Sequence, residues 1–174
     1  MKAACRQATQ SQPLDGFALE LDSGRSSRRY AAHMTPDNRP DFSRSIQELE
    51  ESDWGDPKPA DTWMVRTIHA IRRKPVSSLT DEELRLAVSQ QVGEPFVVFL
   101  AIERLEQDPL LEGGCYPGDI LSALIRQTSE EVWDSNPGLR SKLTSSYERA
   151  LARAAEDTDS FRESLGLPSG GARQ

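Results

Sequence analysis

Apolar residues recur every three or four positions through most of residues 45 to 155. This spacing places them on one face of an α-helix and is unlike the alternation of a half-buried strand. One such stripe contains Met64, Val65, Ile68 and Ile71, and a second contains Leu84, Ala87 and Val88. The pattern predicts an all-α fold, a compact bundle of about six to seven helices with disordered N- and C-terminal tails.

Capping residues mark several of the predicted helix boundaries. Thr80 and Glu83 have the spacing of a capping box, in which each side chain binds the other residue's backbone N–H. Asp61 or Thr62 is expected to cap the preceding helix, and Gly93 to close the following one in a left-handed conformation.

The segment from Phe96 to Ile102 is apolar around most of a helical circumference, which predicts the central helix of the bundle. A β-strand is the alternative, because short apolar runs fit either structure. The spacing of Leu105 after this run favours the helix.

Two further helices are predicted towards the C-terminus, with a short helical turn around Trp133 between them. Pro117 is expected to open the first, with Ile120, Leu121, Leu124 and Ile125 facing inward. Pro137 is expected to open the second, which runs to about Ala155 with Leu139, Leu143, Tyr147, Leu151 and Ala154 inward.

The composition divides the chain into three parts. Residues 1–42 are polar with no sustained period, which predicts a disordered extension, and we interpret Met34 as an alternative initiator after an upstream region. Residues 43–155 form the helical domain. Residues 156–174 are glycine-rich near their end and are expected to form a flexible tail.

The formal charge of −7 is concentrated in residues 41–157, which hold 22 acidic and 13 basic side chains. Nucleic acids and anionic membranes bind positive surfaces, so neither is an expected partner. A basic protein partner fits better, although an acidic surface also serves solubility alone. No apolar run reaches the length of about 20 residues that a membrane span needs.

Catalytic and cofactor chemistry has little support in the sequence. The two histidines, His33 and His69, have no obvious partner for nucleophilic catalysis, and no spacing predicts a metal site or a nucleotide cofactor. Cys5 and Cys115 are far apart, so we expect no structural disulfide and a reducing, cytoplasmic location. The basic run Arg72-Arg73-Lys74, with Arg72 and Arg73 expected to point outward, is explained by the negative end of its helix.

An acidic corner stands out as the candidate binding surface, because Pro109 and Pro117 restrict its backbone. Its candidate residues are Glu106, Asp108, Glu112, Tyr116 and Asp119. Tyrosine is common at interface centres, and a constrained loop loses less entropy on binding. In the structural alternative, Asp119 only caps its helix, Tyr116 fills the core and Asp108-Pro109 forms a turn. Asp53 and Asp56, on either side of Trp54, are a second, weaker candidate.

Several segments together resemble the immunity proteins of contact-dependent growth inhibition (CDI) systems. They are Ser45–Pro57, Val65–Pro75, Leu79–Gly93 and Glu103–Ile125, within roughly Ser43 to Leu143. The resemblance implies that the chain binds and silences a cognate toxin, and it leaves open which one. From the acidic charge we expect the C-terminal toxin domain to be basic and a nuclease, and from the lack of catalytic residues we expect no enzyme. We expect a monomer before binding. The alternative functions are a helical adaptor without a toxin partner and, third, an enzyme with a cleft around His69.

Overall fold

A computed structural model describes the backbone of residues 39–164 and the side chains of residues 39–158. This part contains seven α-helices and no strand, and an isolated bridge joins Ser45 and Pro75. The helices are α1 (Ile46–Leu49), α2 (Trp63–Arg72), α3 (Asp81–Ser89), α4 (Phe96–Gln107), α5 (Asp119–Gln127), α6 (Glu130–Ser135) and α7 (Pro137–Ser164). A short 3-10 helix, Val76–Ser78, lies between α2 and α3. The predicted all-α class is confirmed.

Helix α4 is the centre of the fold and packs against α3, α5 and α7. Seven of its 12 residues are buried, among them Phe96, Ile102 and Leu105. The helical interpretation of this apolar run is therefore correct, and the strand alternative is wrong.

Local capping explains where α2 and α3 begin. The Thr62 hydroxyl accepts from the Val65 N–H at 3.3 Å, so Thr62 rather than Asp61 caps α2. Both hydrogen bonds of the predicted box between Thr80 and Glu83 are present at the start of α3. Burial opposes ionisation of Glu83, but the Lys74 ammonium and the Thr80 N–H, which donate to its carboxylate, hold its pKa below the usual range.

Two predicted boundaries are wrong, because a tertiary contact needs the glycine elsewhere. Gly93 is left-handed as predicted, but helix α3 already ends at Ser89 and Gln91 is the left-handed residue that follows its end. Gly93 instead approaches Ile46 so closely that a Cβ would lie 2.8 Å from it. Helix α5 starts at Asp119, not Pro117, because left-handed Gly118 precedes it and donates its N–H to the Leu110 carbonyl at 2.9 Å.

The expected inner faces of the last helices also need correction. Ile125 is 52% exposed, and on α7 the exposed fractions are 45% for Tyr147 and 54% for Leu151. In α7, Ser146 and Ala150 are buried instead. Arg149 contributes to this rotation of α7, because it donates to the carbonyls of Leu105 and Glu106 at the end of α4. Helix α7 also extends to Ser164, beyond the expected end near Ala155.

Arg72 is buried rather than outward-facing. Its guanidinium donates to the Glu50 carboxylate and to the Ser52 carbonyl at 2.9 Å, and it lies 3.9 Å from the centre of the Trp54 ring. Burial raises the pKa of Glu50, and the charge of Arg72 opposes that rise. The ion pair and the stacked ring tie α1 to α2.

The other two cations of the basic run are also paired within the protein. Arg73 lies 2.8 Å from the Asp56 carboxylate, and Lys74 donates to Glu83. The run therefore contributes to the folded structure.

The domain boundaries at residues 42 and 155 remain predictions. The role of Met34 also remains a prediction, because residues 1–38 and 165–174 lie outside the described part of the chain. No helix within residues 39–164 is both long and apolar enough to cross a membrane.

Candidate partner-binding surface

The loop of residues 108–118 folds around the buried carboxylate of Asp119, which is only 3% exposed. One carboxylate oxygen accepts from the Gly113 N–H at 2.6 Å, and the other accepts from the Cys115 N–H at 2.9 Å. Asp119 is thus enclosed by the loop that was expected to present it. Its burial favours the structural alternative, and its direct contact with a partner stays a prediction.

Arg85, on α3, completes the inside of the corner. Its Nε donates to the Gly113 carbonyl at 3.0 Å and lies 3.6 Å from the Asp119 carboxylate. The backbone at Gly113 comes so close to α3 that a Cβ there would lie 2.7 Å from the Arg85 Cβ and 2.9 Å from the Asp81 carbonyl oxygen. Only glycine fits without a shift of α3 or of the loop.

The first residues of the loop are fixed by a turn. The Asp108 carboxylate accepts from the Leu110 N–H at 3.2 Å, and the Asp108 carbonyl accepts from the Leu111 N–H at 3.1 Å. The Leu110 carbonyl in turn holds Gly118 at the other end of the loop. The loop is therefore closed at its base and tied to Asp119 at its middle.

We call the exposed side chains of Glu82, Glu112 and Tyr116 the corner surface. Tyr116 is 50% exposed, so it does not fill the core. Glu82 reaches the corner from α3, since a Cβ on Gly114 would lie 3.7 Å from its carboxyl carbon. Neither Glu82 nor Glu112 forms an ion pair with any residue between Arg39 and Thr158. The corner surface thus combines two uncompensated negative charges with an exposed aromatic ring.

Glu82 was not among the residues that the sequence nominated. In the sequence it belongs to the acidic first turn of a capped helix, where acids stabilise the helix end. Its place beside the loop depends on the packing of α3 against α5, and no local sequence signal contains that information.

Glu106 and Asp108 lie at the edge of the corner and are paired with cations of α7. The Glu106 carboxylate accepts from Lys142 at 3.0 Å, and Asp108 lies 3.7 Å from Arg153. Both pairs are partly exposed, so a partner can compete for these carboxylates, but their charges are already partly offset.

The second candidate, around Trp54, belongs to α1 and α2 rather than to the corner. Asp53 is exposed and accepts from the Gly55 N–H at 2.8 Å, and Asp56 pairs with Arg73. The His69 ring packs edge-on against Trp54, with 5.7 Å between ring centres, and its Nδ1 lies 3.1 Å from the Gly55 carbonyl oxygen. These contacts give His69 a packing role at this loop.

Metal binding and disulfide formation also bear on the chemistry of the surface. Among the described side chains, no group of three or more His, Cys, Asp or Glu is placed to hold a metal ion.

Cys115 is disulfide-bonded, which contradicts the expectation from the sequence, and its partner lies outside the described residues.

Residues 39–164 thus form an acidic, strand-free helical domain with an exposed corner. A family model described as CDI immunity proteins matches residues 48–143, and the chain belongs to this family. Searches of curated proteins and of solved structures found no match. Family membership gives the chain an immunity role against a CDI toxin.

Proposed function

We propose that this protein neutralises its cognate toxin by stoichiometric binding, without turnover, and that the corner surface contacts the toxic C-terminal domain. The observation that carries the proposal is the pair of uncompensated carboxylates, Glu82 and Glu112, beside an exposed Tyr116 on a closed loop. Such a surface attracts a cationic face and offers an aromatic anchor once contact is made.

The toxin that fits this surface best is a nuclease, because an enzyme that binds phosphates presents cations that carboxylates can occupy. The acidic excess of residues 41–157 extends the attraction over the whole domain. Association would be fast and would slow as salt screens the charges. Glu106, Asp108, Asp53 and Asp56 would contribute less than Glu112, because each is held by hydrogen bonds or ion pairs within the protein.

The experiment is co-expression of the neighbouring gene's C-terminal toxin domain with and without this protein. Survival that requires this protein, together with a 1:1 complex on a sizing column, supports the proposal. Cell death at the same rate in both strains would exclude a neutralising role. Degradation of tRNA, rRNA or DNA in the dying cells would identify the toxin as a nuclease, and intact nucleic acid would remove that part of the proposal.

We also propose that the protein acts as a monomer in the cytoplasm of the cell that it protects. The disulfide at Cys115 argues against this location, because disulfides are uncommon in a reducing compartment, so the compartment needs a direct test. Fractionation with thiol labelling in whole cells tests the location. Recovery in the cytoplasmic fraction is expected, and recovery only in the periplasm would contradict it.

A further inference from the structure

We propose that Asp119 and Arg85 are positioning residues, which hold the corner surface in its binding shape without touching the toxin. This inference rests on the proposed function, because it concerns the same surface. The sequence predicts Asp119 as a contact residue of the corner, whereas the structure encloses its side chain within the protein.

The Asp119 carboxylate makes two hydrogen bonds that organise the loop from within. Gly113 and Cys115, whose N–H groups it accepts, flank Gly114 and lie between Glu112 and Tyr116. Hydrogen bonds to a charged acceptor are about twice as strong as neutral ones. The buried Asp119 carboxylate therefore helps to hold the segment that joins the two exposed contact residues, in which Cys115 is also disulfide-bonded.

Arg85 connects the same segment to α3, which carries Glu82. It donates to the Gly113 carbonyl and stands beside the Asp119 carboxylate, so it opposes the cost of burying that charge. Side-chain exposure is 13% for Arg85 and 3% for Asp119, which leaves little of either for a partner. The pair thus determines the position of Glu112 relative to Glu82.

The consequence for binding follows from conformational populations. A loop that adopts its binding shape only part of the time weakens the apparent affinity in proportion to that fraction. Loss of the Asp119 charge leaves two backbone donors with a poorer acceptor, and the loop samples other shapes. We expect Asp119→Asn to weaken toxin affinity about tenfold or more, on the same population argument.

The test is a double-mutant cycle on the full chain, with the inactivated C-terminal toxin domain from the neighbouring gene as the probe. Affinities are measured for the wild type, Asp119→Asn, Glu112→Gln and the double variant. If Asp119 acts through the position of Glu112, the Glu112→Gln effect falls to less than half in the Asp119→Asn background. A purely structural role predicts independent effects, and that result would overturn the inference.

A matched control is Glu94→Gln. Like the Asp119 carboxylate, the Glu94 carboxylate accepts a hydrogen bond from a backbone N–H, that of Ser129. Ser129 lies beyond the C-terminal end of α5, whereas the corner lies before the start of α5. This variant is expected to keep wild-type affinity. Amide exchange provides a second readout, since the Gly113 and Cys115 amides should exchange faster in Asp119→Asn.

If Asp119→Asn does not fold, Arg85→Met takes its place, because it keeps the aliphatic stem and removes the donor to Gly113. A folded Arg85→Met with unchanged affinity would contradict the inference.

Different results would reject the corner surface as the binding site and the positioning role of Asp119. Unchanged affinity in both Glu112→Lys and Tyr116→Ala would reject the corner surface itself. A loss in those variants with full affinity in Asp119→Asn would reject only the positioning role.

Discussion

Glu112 carries a charge that no ion pair offsets within residues 39–158, and it stands on a loop held from inside. A lysine at this position would reverse the attraction for a cationic toxin face. We expect Glu112→Lys to weaken binding by roughly 1–2 kcal/mol, about tenfold in the dissociation constant. Helix content should not change, and titration calorimetry with circular dichroism measures both.

The control for Glu112→Lys is Glu156→Lys, which makes the same change of charge on the exposed part of α7. It alters the net charge equally but leaves the corner surface intact. Equal losses of affinity in the two variants would show that only the total charge matters and would contradict a local role for Glu112.

The close approach at Gly113 leads to a stability prediction. Gly113→Ala places a methyl group 2.7 Å from the Arg85 Cβ and 2.9 Å from the Asp81 carbonyl oxygen, so α3 or the loop must move. Such overpacking costs about 1–3 kcal/mol. The urea midpoint should fall accordingly.

Gly138 is the matched glycine for this experiment. It lies in the first turn of α7, and nothing lies within 4 Å of a Cβ placed on it. Gly138→Ala should leave stability unchanged or raise it by up to about 1 kcal/mol. A Gly113→Ala variant as stable as Gly138→Ala would show that the corner accommodates a side chain freely.

Among the helices, the sequence predicts best what local chemistry determines. The start of α3 depends on Thr80 and Glu83, three residues apart, and the apolar face of α4 follows from its own residues. The class of fold and most helix starts could therefore be predicted. The rotation of α7 could not, because it depends on Arg149 meeting carbonyls 43 and 44 residues earlier in the chain.

The exposed end of α7 leads to a prediction about truncation. Every residue from Leu151 to Thr158 is exposed, so this part of α7 contributes little to the hydrophobic core. A chain ending after Ala155 should keep its unfolding free energy within about 0.5 kcal/mol. Denaturant unfolding measures it, and the result tests the expected boundary of the domain at residue 155.

A chain ending after Leu143 is the comparison for this truncation. It lacks Ser146, Arg149 and Ala150, which pack α7 against α4, and it should unfold at markedly lower denaturant. If the chain ending after Leu143 loses more than about 2 kcal/mol of its unfolding free energy, the removed part of α7 makes structural contacts.

The candidate surface was only partly predictable at the scale of the whole molecule. Composition and proline positions indicate the corner, but they do not separate exposed Glu112 from buried Asp119. They also miss Glu82, because Arg85 joins α3 to Gly113 across 28 residues of sequence. Which acids face outward depends on how distant elements pack, and a pattern of residue types does not contain that information.

The dependence of stability on pH tests whether burial raises the pKa of the Glu94 carboxylate in the folded protein. Burial raises its pKa, while the hydrogen bonds from Ser129 oppose the rise. A raised folded-state pKa means that the wild type gains stability as the pH falls from neutral through that pKa. The stability of Glu94→Gln relative to wild type should therefore be greatest at neutral pH and should decline in acid. Urea unfolding between neutral pH and pH about 4 measures the difference.

A difference between Glu94→Gln and the wild type that stays constant with pH would contradict this prediction, because it would mean that Glu94 titrates in the folded protein as it does in the unfolded chain.

Carboxyl footprinting by mass spectrometry, with and without the inactivated toxin domain, tests most directly whether the corner surface is the binding site. In the saturated complex, labelling of Glu82 and Glu112 should fall severalfold, while labelling of Glu156 stays constant. Full labelling of both corner glutamates in a complex that still neutralises the toxin would contradict the account.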